Sequence, residues 1–128
     1  MFYMGVKMTY KDLLLGAVIL CGTPDLDDYA EYISAVLHLQ MEELFKKNNF
    51  LRQHKGVEAL SKVPDTLDIT ANFAYEDELS PAFKYGLASK LIMADRDMDE
   101  GLHGIYLNMY NDSLSAAMPL VEEGVVNV

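Results

Sequence analysis

The chain has no tryptophan, one cysteine and half as many basic as acidic residues. Ten lysines and arginines stand against twenty aspartates and glutamates, for a formal net charge of −10. Each shortage excludes something. With Cys21 alone, no intrachain disulfide can form. No His, Lys or Arg adjoins Cys21 to hold a thiolate, so it reads as a small buried hydrophobe. The shortage of cations argues against a general nucleic-acid binder, which needs a basic patch to neutralise phosphates. An acidic chain can still line a channel along which DNA slides. The three histidines, His38, His54 and His103, are scattered and lack zinc-ligand spacing. Long apolar runs are missing too. The longest, Leu13–Cys21, is too short to span a bilayer. Lys7 and Lys11 before it imitate a secretory signal, but Asp12 interrupts the basic lead, and bulky Ile19 and Leu20 stand where a processing site wants small residues. The run reads as a buried N-terminal helix.

What is present is a 128-residue chain, 51% apolar, enough for one ordered domain with its own core. The expected organisation is a single domain over residues 1–120 and a tail over 121–128. The fold class is mainly α: a small bundle of about four helices, with a short β-strand or hairpin before the third. Thr9 is the expected N-cap of the first helix, which runs to about Cys21 and stops at Gly22. Thr23 or Asp25 caps the second, from Leu26 to Lys47. Its stripe is Tyr29, Ile33, Val36, Leu37, Gln40 and Leu44, and Asn48-Asn49 ends it. The region from Phe50 to Lys62, the most basic of the chain, reads as a loop with room for a short strand or helical turn. From Leu67 to Glu76 the apolar residues alternate, which predicts a half-buried strand. Its partner would come from the Phe50–Leu60 region or from another subunit. Ser80 then caps a third helix with Pro81 in its first turn. Phe83, Leu87, Leu91 and Ala94 form one face, and Gly86, Ala88 and Ser89 allow a close neighbour. The last helix covers Met98 to Met118, with Leu102, Ile105, Tyr106, Met109, Tyr110, Leu114 and Ala117 inward.

Chemical motifs fail one after another. Asp95, Asp97 and Asp99 match the start of a calcium loop. The sixth position is Glu100 instead of Gly, and the twelfth is Tyr106 instead of Glu. Gly86–Lys90 lacks the glycine spacing of a phosphate loop. Acidic pairs such as Glu42/Glu43 and Glu122/Glu123 have nothing in sequence that gathers them around a substrate. The reading is therefore not an enzyme, with no cofactor and no metal. Eight tyrosines and eight methionines remain. They suit core packing or a protein interface.

The order of these pieces resembles one family. A helix at Thr9–Gly22 leads by a short turn to a longer helix at Tyr29–Phe45. The extended Asp68–Glu76 precedes Leu79-Ser-Pro-Ala-Phe-Lys-Tyr-Gly-Leu-Ala-Ser-Lys-Leu-Ile92, and a final helix carries Tyr106-Leu-Asn-Met-Tyr-Asn-Asp-Ser-Leu-Ser-Ala-Ala117. This plan is similar to the small head–tail connector proteins of tailed phages, the adaptor or head-completion proteins beneath the portal. Ser80 before the proline and the short C-terminal arm depart from it. The resemblance implies a structural virion protein in the neck between head and tail, assembled in the host cytoplasm. It would form a homo-oligomeric ring, commonly a dodecamer, on the portal protein. The ring would help retain packaged DNA, which passes through or is weakly contacted, and would carry the tail proteins. No membrane is involved. Candidate subunit or portal contacts are Tyr75, Tyr106, Met109 and Tyr110, together with Val125, Val126 and Val128 of a tail that could pair with a portal strand. The residues alone leave open a small acidic helical protein-interaction module without catalytic activity.

Overall fold

Thr9 starts the first helix, α1 (Tyr10–Leu20), through a reciprocal capping box. Its hydroxyl accepts from the Asp12 N–H at 3.1 Å, and the Asp12 carboxylate accepts from the Thr9 N–H at 3.0 Å. The next free donors, the N–H groups of Tyr10 and Lys11, reach the carbonyls of Ala71 and Ile69 at 3.2 and 2.8 Å. The start of α1 is thus satisfied partly by itself and partly by chain sixty residues on. Gly22, at φ +96°, ends the helix. The computed structural model describes residues 7–22, 25–94 and 100–119.

A 3-10 turn at Leu26–Tyr29, capped by the Asp25 carboxylate, leads into α2 (Ala30–His54). This helix runs seven residues past the expected stop at Lys47. The reason lies in Asn48 and Asn49. Asparagine breaks helices when its side chain bonds the local backbone. Here both side chains are engaged elsewhere. Asn48 Oδ1 accepts from the Glu76 N–H at 2.7 Å. The Asn49 carboxamide clasps Leu60, accepting from its N–H at 2.8 Å and donating to its carbonyl at 3.0 Å. The actual stop is Gly56, at φ +79°. The Val57 N–H turns back to the Arg52 carbonyl at 2.7 Å, and the Gly56 N–H to that of Gln53 at 3.0 Å.

The expected strand is absent. Among the described residues the only β-bridge pairs Thr9 with Asn72, supported by a 2.8 Å bond from the Phe73 N–H to the Met8 carbonyl. Two aspartates explain this. Asp65 accepts from the Leu67 N–H at 2.9 Å. Asp68 accepts from the Thr70 N–H at 3.0 Å and its hydroxyl at 2.6 Å. These local bonds fold residues 65–71 into turns and prevent a ladder. Only the far end keeps the predicted alternation: Phe73 and Tyr75 are buried. Leu67, expected inward, points into solvent. The partner of this segment is the N-terminal Met8–Thr9, not the Phe50–Leu60 region.

A 3-10 turn at Asp77–Leu79 precedes α3 (Ser80–Ala94). Ser80 is already helical, and its hydroxyl donates to the Asp77 carbonyl at 2.9 Å instead of capping an N–H. α3 packs against α1, α2 and the last helix, α4 (Glu100–Ala117). The core gathers on it. Phe83 lies 4.9 Å from Phe73 and 6.2 Å from Tyr10 between ring centroids, and Tyr10 meets Phe73 edge-on at 6.0 Å. The acidic stretch Asp95–Asp99 and the tail from Leu120 lie outside the described residues.

Candidate functional site

The tyrosines nominated as interface residues are turned inward. Tyr75 is fully buried and donates its hydroxyl to the Met41 carbonyl at 2.6 Å. Tyr106 donates to the Leu20 carbonyl at 2.7 Å, tying α4 to the end of α1. Tyr110 is buried against α2. Burial pushes all three phenols above their ordinary range, so each hydroxyl stays protonated and bonded. A side chain enclosed by its own chain offers no surface to another. Of the four described candidates only Met109 is exposed. Val125, Val126 and Val128 lie outside the described residues.

Tyr110 instead belongs to a polar cluster between α2, α3 and α4. Gln40, fully buried, donates from Nε2 to the Tyr110 hydroxyl at 3.1 Å. That hydroxyl donates to Glu43 at 2.7 Å. Lys90 donates to Gln40 Oε1 at 2.5 Å and to Glu43 at 3.0 Å, with its ammonium 5.2 Å from the Tyr110 ring centre. Gly86 makes the cluster fit, because a Cβ there would collide with the Gln40 carboxamide. These bonds join side chains of α2, α3 and α4, so the arrangement fixes helix register.

A second set of charges staples the end of α2 to the turn before α3. Arg52 meets Glu76 at 3.2 Å, and Lys55 meets Glu76 at 3.0 Å and Glu78 at 2.6 Å. The bond to Glu78 holds the Lys55 ammonium above its ordinary range and the Glu78 carboxyl below its own. The histidines stay apart. His38 faces Glu42 on the surface at 3.4 Å, His54 stacks on Phe50, and His103 donates from Nδ1 to the Ser89 carbonyl at 3.1 Å. Among the described residues no three His, Cys, Asp or Glu side chains converge as metal ligands, and no helix is long and apolar enough to cross a membrane.

The surface carries the more unusual features. A groove of about 370 Å³ runs between α2 and α3, with Tyr32, Ala35, Val36, Leu39, Met93 and Ala94 as its apolar lining and Glu31 and Lys90 as its charged lining. Leu39 and Met93 are 51% and 62% exposed. On the other side of α2, Leu67 stands at the rim of two adjoining grooves and is 83% exposed. Ile105 and Met109, one turn apart on a flank of α4, form a third apolar spot, where the sequence pattern had placed them inward. Sequence reasoning passed over Leu39 and Met93. Their signal is that each is a large apolar residue off the inward stripe of its own helix. Comparison with protein-family models, with curated proteins and with solved structures finds no match for this chain.

Proposed function

We propose that this chain is a structural head–tail connector of a tailed phage, an adaptor that binds the portal ring, helps retain packaged DNA and provides the platform for the tail. The observation that carries the reading is the presence of unlike apolar surfaces on one small acidic subunit. A head-to-tail ring needs two different complementary patches on each copy, whereas a two-fold dimer needs one self-complementary patch. The α2/α3 groove and the projecting Leu67 differ in shape and lie apart. Helix order along the chain supports the same reading. So does the net charge of −10, which suits a lumen along which DNA slides and which keeps free subunits from associating early.

The test is reconstitution with the cognate portal, followed by native mass spectrometry and electron microscopy of the complex. The expected result is a ring of subunits on the portal, with the isolated chain mostly monomeric. A chain that never joins the portal overturns the proposal. A defined one-to-one complex with a single other protein would replace it with the interaction-module reading.

A further inference from the structure

We propose that Leu120–Val128 folds back along α2 of its own copy, that Val125, Val126 and Val128 cover the α2/α3 groove, and that this cover must lift before the groove meets another chain. The lifting step rests on the connector reading, and the cover itself does not. The groove is open, with Leu39 and Met93 exposed in it. The nine residues after Pro119 carry four valines and a leucine, which suit apolar walls.

The place where the chain leaves α4 sets the path. α3 runs antiparallel to both of its long neighbours. On α2, Asn48 meets Glu76, and Val36 lines the groove with Met93. On α4, His103 meets Ser89 and Tyr106 stacks on Tyr85. α2 and α4 are therefore parallel, and the last turn of α4 lies beside the Asp77–Leu79 turn. Lys55 and Glu78, 2.6 Å apart, fix that turn to the end of α2. Pro119 cannot continue the helix. A segment that turns back there runs along α2 toward the groove. Helical rise puts Lys46 and Lys47 about 12–14 Å back from Lys55, and Leu39 about 24 Å back. At about 3.3 Å per extended residue, Glu122 and Glu123 reach about 10–13 Å from Pro119, Val125 and Val126 about 20–23 Å, and Val128 about 30 Å.

Charge follows the same order. At 100° per residue Leu39, Glu43, Lys46 and Phe50 lie within about 60° of one another around α2. Lys46 and Lys47 make no ion pair among the described residues. The segment reaches them with Glu122 and Glu123. Glu42 and Glu43 stand next, and the segment passes them with Gly124, which brings no charge. Glu42 already faces His38 at 3.4 Å. Glu43 is held by Lys90 at 3.0 Å and by the Tyr110 hydroxyl at 2.7 Å. Lys90 in the groove wall is thus paired before any valine arrives. Glu31 borders the far end of the groove, about 36 Å back from Lys55 and past the reach of Val128.

Mild oxidation of the full chain carrying Leu39→Cys and Val126→Cys tests the cover. Leu67→Cys with Val126→Cys is the control on the other side of α2, and the single variants give the background from Cys21. The first pair should close within one copy at every protein concentration, about tenfold faster than the control. Glu122→Lys with Glu123→Lys should slow that closure about fivefold, and Lys46→Glu with Lys47→Glu in the same chain should restore it. Closure no faster than the control, or crosslinks only between copies, overturns the cover. Charge reversal without effect, or without rescue, overturns the placement of the two glutamates on the lysines. The closed chain should assemble on the portal about tenfold less than the same chain after reduction. Equal assembly of the two forms overturns the lifting step and leaves the cover in place. A reduced chain that closes normally yet never joins the portal overturns the connector reading and not the cover.

Discussion

α3 and α4 are neighbours of similar length that pack along each other, yet they are held in opposite ways. α3 buries eight of its 15 residues, on every side, against three other helices. α4 buries two of its 18, and both are tyrosines whose hydroxyls bond to other helices. One helix is fixed by shape and the other by a few polar anchors on a narrow stripe. The lesson is that apolar content does not rank helices by burial. α4 has an abundance of apolar residues and leaves Ile105, Leu107 and Met109 in solvent.

Substitutions can sharpen or break this contrast. The largest effect is expected from Gly86→Val on α3, where the added atoms meet the buried Gln40 carboxamide. It should destabilise the fold by about 3 kcal/mol in urea denaturation. A neutral result would mean that α2 and α3 are not so close. Tyr110→Phe should cost about 1–2 kcal/mol, since it strands the Gln40 amide and removes a bond to Glu43. A smaller loss on Tyr106→Phe, about 1 kcal/mol, would follow from its single bond to the Leu20 carbonyl. Should the two phenylalanine variants melt with the wild type, α4 is held by shape after all. Smallest is Met109→Ser on the exposed flank, which should stay within about 0.5 kcal/mol of wild type.

The same contrast explains what could be read in advance. α1 was legible at both ends because its signals are local: a Thr9–Asp12 capping box and a terminal Gly22. The length of α2 was not, because the partners that occupy Asn48 and Asn49 lie 28 and 11 residues away. The strand from Leu67 failed for the reverse reason, since short-range aspartate bonds overrode the alternating pattern. Periodicity placed Tyr106 and Tyr110 inward and Tyr75 on the apolar side of its segment, while the number of tyrosines also suited an interface. Tyr75, Tyr106 and Tyr110 are buried, and the carbonyl or carboxylate that each hydroxyl reaches was invisible to periodicity. Leu39 and Met93, the residues now assigned to the groove, fell outside every stripe that a core-seeking pattern selects.

The start of α1 has one more consequence, for the order in which the protein is made. On the ribosome α1 lacks its native acceptors for the N–H groups of Tyr10 and Lys11 until residues 69–71 arrive, and the Met8 carbonyl waits for Phe73. About sixty residues must follow the start of α1 before it can close. Such distant pairings slow folding relative to a bundle built from neighbours. Any growing chain cut off before Phe73 holds α1 with its apolar face uncovered and its first turn untied.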